Sequence, residues 1–212
     1  GIYNAWNKGL SQANGDWIFF LGADDFFWDI KVLENLAKQL VLIPSDVHVA
    51  YGQIMLLNND AQPLYLVGDS WEKIKERFKQ IMCIPHQGVM HRKSLFEFGG
   101  KFDESFSIAG DYELLMRELK YGNAFFLPNV IVAGMRQGGV SSSPANDLAI
   151  LAEVRRAQKK HGKNFPGRIW LMAMVKAYIR IILWQLLGEK WTRKILDAVR
   201  RMRGLPPHWT KT

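Results

Sequence analysis

The chain predicts an α/β body followed by an all-helical tail, and three observations carry that expectation. Over residues 1–145, short apolar runs bounded by Gly, Asn, Asp or Pro alternate with amphipathic helical spacings. Beyond them, residues 147–161, 168–187 and 189–203 all carry helical spacing, with no strand-like run between. The charge changes near the same place. Residues 151–212 hold 15 Lys and Arg against three acids, a net of +12, whereas the first 150 residues carry a net of −4. The expected division is a body at 1–145 and a basic helical tail at 146–212.

Each element has its own signal. Residues 4–13 read as a short helix stopped near Asn14-Gly15. Asp16 to Leu21 (DWIFFL) is an apolar, aromatic run typical of a buried strand, and Gly22-Ala23-Asp24-Asp25 follows at once. Residues 29–40 place Ile30, Leu33, Leu36, Ala37 and Leu40 at helical spacing. Val47 to Leu57 reads as strand, Asn58-Asn59-Asp60 as turn, and Pro63 to Val67 as the return strand. Helices are expected at 71–81, at 93–98 before Gly99-Gly100, and at 111–121 before Gly122. Asn123 to Ala133 is strand-like and broken at Pro128, and residues 138–146 (GGVSSSPAN) have loop composition. No internal repeat is present.

The bulk figures narrow the class. With 212 residues, 48% of them hydrophobic and 23% charged, the chain can bury a good-sized core and is not disordered as a whole. The single cysteine, Cys83, cannot form an intrachain disulfide, which fits a reducing compartment. The opening Gly1-Ile2-Tyr3-Asn4 reads as the middle of a longer chain.

The chemistry concentrates at two places. Asp24 and Asp25 end an apolar strand, where open α/β sheets bind ligands. Two adjacent acids repel each other, and a hard cation such as Mg²⁺ or Mn²⁺ would relieve this while bridging to phosphate. The alternative is a helix cap, with Asp25 serving the helix near residue 29. Asp111 opens a helix and has the same two readings: a general base, or the cap of 112–121.

The run GIYNAWNKG, then ANGD, then ADD, over residues 1–25, closely resembles a segment of family 2 glycosyltransferases with the GT-A fold. Residues 86–117 (HQGVMHRKSLFEFGGKFDESFSIAGDYELLMR) resemble the same family's acceptor-side region. The resemblance covers roughly residues 1–141 and implies a GT-A-like mixed sheet flanked by helices, lacking the first nucleotide-binding strands at its N-terminus. It places the metal-binding acids on Asp24 and Asp25, donor contacts on Lys8, Ala23 and Asp24, and the general base on Asp111. His86 could touch the acceptor or a phosphate, or be structural, and Arg92, with Lys93, could offset phosphate charge or lie on a solvated surface. Gly22 stands where the family often has Asn or Asp. Asp103 and Glu104 read as turn and cap residues, and Gly138-Gly139-Val140-Ser141 resembles a loop near the donor site.

The implied activity is inverting transfer from a nucleotide-sugar donor to a saccharide or lipid-linked hydroxyl acceptor, with Mg²⁺ or Mn²⁺, in polysaccharide or glycolipid synthesis. A non-catalytic carbohydrate- or membrane-binding scaffold is the alternative. A metal-dependent phosphohydrolase would need a further carboxylate or histidine cluster, which the sequence does not offer.

In the tail, residues 169–187 are nearly long enough to span a bilayer, but Lys176 and Arg180 fall near the centre on one face. An interfacial helix on an anionic membrane surface, through residues 168–203, accounts for the basic flanks and the tryptophans at 170, 184 and 191. A helix packed on the body or on a second copy is the other reading. No nucleic-acid motif accompanies the basic residues. The expected location is cytoplasmic, peripheral on the inner face of the membrane.

Overall fold

The structure, a computed structural model, describes residues 1–137 and 146–210. At its centre lies β3 (Val49–Leu57), whose side chains alternate between two apolar layers. Val49 and Tyr51 point into one, Ala50 into the other. Such burial on both faces explains why this strand reads as nearly continuous apolar sequence. The sheet order is β1 (Trp17–Phe19), β5 (Val89–Arg92), β3, β6 (Phe125–Arg136), β2 (Phe26–Phe27), and β4 (Pro63–Val67) pairs with the second half of β3. The β3–β6 pair is parallel and the others are antiparallel.

Helices cover both faces. On one, α2 (Val32–Leu40) sets Val32, Leu36 and Leu40 against Ala50, Val130 and Val132. On the other lie α1 (Ile2–Gln12), α3 (Trp71–Phe78), α4 (Lys93–Gly99), α5 (Gly110–Glu118) and α6 (Asp147–Lys160), which share a larger core with Tyr51 and Val89.

Three elements differ from the sequence expectation. The strand expected over Asp16–Leu21 pairs only at Trp17–Phe19, because its partner β5 begins at Val89, after a 3₁₀ turn at His86–Gly88. The helix expected from residue 29 starts at Val32, because Asp29 Oδ1 accepts from Lys31 N at 2.7 Å and holds a turn first. Pro128 does not end β6. Three residues of β3 (Tyr51 to Gln53) are matched by six of β6 (Phe126 to Ile131), so the strand bulges. Pro128 has no N–H to give the ladder, and Asn129 takes φ 63, a left-handed conformation that Asn tolerates.

The tail's first helix is knitted into the body. Val154 and Ala157 of α6 lie in the larger core. Gln158, buried, donates to Gln80 O at 2.7 Å. Glu113, fully buried on α5, is paired with Lys160 (3.0 Å) and Arg117 (3.6 Å) and lies in hydrogen-bond contact with His161 (2.9 Å). Such a buried acid is tolerable only when paired. After α6 comes α7 (Arg168–Met202), interrupted at Gly188, where φ 71 and ψ 172 break the helix.

Candidate active site

Asp24 and Asp25 follow β1, in a turn closed by Asp25 N donating to Gly22 O at 3.3 Å. Asp25 Oδ2 accepts in return from Gly22 N at 3.2 Å. Gly22 is required by close approach: a Cβ there would lie 2.6 Å from Asp25 Oδ2 and 3.5 Å from Asp24 Oδ1. The glycine that looked in sequence like a lost polar contact makes room for both carboxylates. Neither acid caps α2, whose N-cap is Lys31 and whose entry turn is held by Asp29.

Burial pushes the Asp25 pKa up, the Asp24 charge adds to this, and Gly22 N and the Gln87 side chain pull it back. Two oxygen donors, crowded and mutually repelling, suit a hard cation that takes its remaining ligands from phosphate and water. Among the described residues no group of three or more His, Cys, Asp or Glu could hold a metal by itself.

Asp111 lies in the first turn of α5 but does not cap it. The turn that leads into α5 is held by Glu153 of α6, whose carboxylate accepts from Ser107 N, Ile108 N and Ala109 N, each at 2.8 Å. Among the described residues these three amides have no other partner in that turn. Asp111 Oδ1 accepts from Tyr112 N at 2.8 Å. Burial raises its pKa to about 6 against the pull of that amide and of the Tyr3 hydroxyl, and the Glu153 charge pushes the same way as burial. Tyr3 fixes the approach to Asp111: its hydroxyl donates to Ile108 O at 2.6 Å and accepts from Gly110 N at 2.8 Å.

These groups meet. A cavity of about 450 Å³ is lined by Asp24, Asp25 and Asp111 together with Ala23, His86 and Gln87. Trp6 and Phe20 supply its aromatic side. His86 is buried and stacked on Trp6, with ring centroids 5.0 Å apart. Its Nε2 lies 3.3 Å from Nε2 of buried His91, and burial lowers the His86 pKa to about 3. His86 thus stands as a neutral ring in the wall of the cavity.

Two expected contacts are not brought in. Arg92 sits at the opposite end of the strand pair: it faces Trp17, where β1 begins, while the cavity lies past β1's end. Its guanidinium donates to the carbonyl oxygens of Val47 (3.0 Å), Pro44 (3.1 Å) and Ile43 (3.4 Å), and lies 4.4 Å over the Trp17 ring. Lys8 is exposed, because α1 buries Tyr3, Asn7 and Leu10 and turns the next position outward. Residues 138–141, the expected donor-side loop, lie outside the described residues.

Residues that sequence reasoning missed are Tyr3, Trp6, Gln87 and Glu153. The first three lie inside the two matched motifs, so their position was a usable signal. Glu153 had none, because its role depends on α6 docking beside the 107–109 turn. Asp103 and Glu104 are structural. Asp103 accepts from Ser105 N (3.0 Å) and pairs with Lys160 (2.7 Å), and Glu104 accepts from Asn4 and Asn7, both at 2.8 Å.

The family model "Glycosyltransferase like family 2" matches residues 1–141. The chain belongs to that family. Among curated relatives, a PGL/p-HBAD biosynthesis glycosyltransferase of Mycobacterium bovis is 28% identical over 118 residues, 55% of this chain and 43% of the relative. An uncharacterized glycosyltransferase of Rickettsia typhi is 25% identical over 138 residues, 62% and 43% respectively. The chain spans less than half the length of these relatives. Among solved structures, a mannosyltransferase of Pyrobaculum calidifontis in complex with GDP-Man and Mn²⁺ aligns with a TM-score of 0.52 at 14% identity, covering 93% of this chain and 55% of that one. S. aureus TarS 1–349 aligns with a TM-score of 0.50 at 15% identity, covering 74% and 44%. The body therefore has a GT-A-like fold, a mixed sheet flanked by helices.

Proposed function

We propose that the cavity carries out inverting sugar transfer from a nucleotide-sugar donor to a hydroxyl acceptor, in polysaccharide or glycolipid synthesis. The observation that carries this reading is the convergence of Asp24, Asp25 and Asp111 on one cavity, from segments far apart in sequence. Two structural neighbours are complexes, S. aureus TarS 1–349 with UDP-GlcNAc and the mannosyltransferase with GDP-Man and Mn²⁺, which supports the same chemical class of donor here.

Asp24 and Asp25 would hold Mg²⁺ or Mn²⁺. When bound, the cation would offset charge on the donor diphosphate and make it a better leaving group. Asp111 takes the acceptor hydroxyl proton as that oxygen bonds to the anomeric carbon. The carbon–oxygen bond to the diphosphate breaks, and its electron pair leaves with the nucleotide. A base with a pKa near 6 is ionised at neutral pH yet basic enough to draw a proton in the transition state. Trp6 and the neutral His86 present ring surface to the sugars and keep that side of the cavity from water. Ala23 and Asp24 would lie along the donor, and the saccharide or lipid-linked acceptor would enter from the side of Asp111.

We further propose that α7 holds the protein on a membrane from the cytoplasmic side. Arg168–Met202 is long and apolar enough by length and composition to cross a bilayer, and little of it is buried. Its first half bears an exposed apolar stripe at Leu171, Val175, Tyr178, Ile182 and Leu186, spaced for one helix face.

The test is transfer and donor hydrolysis with a panel of sugar nucleotides, with and without Mn²⁺, alongside direct Mn²⁺ titration. The double variant Asp24→Ala/Asp25→Ala should lose Mn²⁺ binding and turnover together. Wild-type protein that binds donor yet never turns it over would favour the non-catalytic scaffold instead.

A further inference from the structure

A second cavity, of about 630 Å³, lies in the tail, remote in sequence from the carboxylates. Ala173, Lys176, Arg180 and Leu183 from one half of α7 line it together with Ile195, Val199, Arg200 and Arg203 from the other. In a straight helix, positions thirty residues apart would stand about 45 Å apart and could not share a cavity. The break at Gly188 therefore folds the two halves toward each other, and α6 closes the space with Ile150 and Leu151.

The lining is apolar except for four cations and one acid. Lys176, Arg180, Arg200 and Arg203 all line the cavity, against the single acid Asp147, which is paired with Arg180. Arg180 also lies 4.8 Å over the Trp209 ring, and its Nε is buried without a hydrogen-bond partner among the described residues. Arg200 Nε donates to Pro206 O at 2.8 Å. Lys176, Arg200 and Arg203 form no ion pair among the described residues, so the cavity holds excess positive charge beside an apolar wall. A carboxylate keeps the far end in place: buried Asp197 accepts from the amides of His208 (2.8 Å), Trp209 (3.0 Å) and Thr210 (2.8 Å).

We propose that this cavity is a binding site for a phosphate group carried on an apolar chain, with the phosphate against Lys176, Arg180, Arg200 and Arg203 and the chain along Ile150, Leu183, Ile195 and Val199. Charge complementarity selects an anion, since guanidinium and ammonium groups with spare donors favour phosphate. The apolar wall selects a ligand that is not phosphate alone. The volume lies within the range of small-molecule sites. The exposed apolar stripe at Leu171, Val175 and Ile182 lies on the opposite face of the same half-helix, away from the cavity. Recognition here does not depend on the transferase reading.

The experiment is calorimetric titration of the whole chain with dihexanoyl phosphatidic acid below its micelle concentration, with dihexanoyl phosphatidylcholine and inorganic phosphate as the other arms. Saturable one-site binding of the phosphatidic acid is expected, with phosphatidylcholine and inorganic phosphate each at least ~10-fold weaker. The double variant Lys176→Ala/Arg203→Ala, at exposed positions, should weaken binding by ~10-fold or more. Ala173→Phe, which fills the wall while leaving every charge, should weaken the lipid but not inorganic phosphate. Equal affinity for phosphatidic acid and inorganic phosphate would overturn the site as a lipid site. Unchanged affinity in the double variant would overturn it altogether.

Discussion

The cavity of the body and the cavity of the tail are built on opposite electrostatic terms. In the body, acids are pressed together under aromatic rings, and burial raises the pKa of Asp25 and of Asp111. In the tail, cations are spread along aliphatic walls, and burial lowers the pKa of Arg180. Each cavity thus holds charge that burial makes unfavourable, and each would be relieved by a ligand of the opposite sign. The difference teaches what each is shaped for: a cation with its phosphorylated substrate in one, an anionic head on an apolar body in the other.

The sharpest way to break the comparison is at Asp111. Asp111→Asn should lower transfer by roughly 10²–10⁴-fold while leaving donor binding intact, measured by initial rates and by titration with the nucleotide sugar. Wild-type kcat/KM should rise with pH through about 6 and then level. The stability of the same group moves the other way. A carboxyl whose pKa is raised in the folded state disfavours folding once it ionises, so the wild type loses stability as pH climbs from about 4 through about 6. Asp111→Asn should therefore be more stable than wild type by about 2 kcal/mol at pH 8 in denaturant unfolding, with no gain below pH 4. Equal stability at both pH values would show that the carboxyl is not desolvated.

Gly22→Ala comes next. The added methyl meets Asp25 Oδ2 and must displace it, so Mn²⁺ affinity should fall by roughly 10–100-fold with little change in stability. A variant that binds Mn²⁺ normally would remove the crowding of the two acids from the metal's explanation. Glu153→Ala leaves three amides without their acceptor and should cost about 2 kcal/mol in urea unfolding. It should also lower the midpoint of the pH–rate profile, because one charge that raises the Asp111 pKa is gone. The smallest change is Tyr3→Phe. Its hydroxyl lowers the Asp111 pKa, so its removal should raise that midpoint.

Much of this was legible in the sequence, for reasons that differ by element. The return strand Pro63–Val67 and the break at Gly188 carry local signals, and both fall where those signals put them. Asp24, Asp25 and Asp111 stand in motifs dense enough to suggest a shared site before any coordinates. Arg92 was misjudged because a residue type and a nearby motif cannot say which end of a strand faces a cavity. That depends on β1 and β5 being antiparallel. His86 does line the cavity, and its burial there as a neutral ring depends on Trp6 and His91 packing around it. Lys176 and Arg180 looked like charges stranded in an apolar helix, yet Arg180 finds Asp147 and Trp209 only because α6 and the C-terminal segment fold around it.

The grip of Glu153 on the turn before Asp111 bears on how this chain can be taken apart. The family match ends at residue 141, and the composition changes near residue 145, so either would look like a natural joint for grafting another anchor onto the body. A graft at either point would discard the carboxylate that holds Ser107, Ile108 and Ala109, and with it Lys160 and His161, which contact buried Glu113. A joint placed after His161 keeps all of them. The portable unit is therefore longer than the segment by which the family is known, and its last turn of helix is written in what reads as tail.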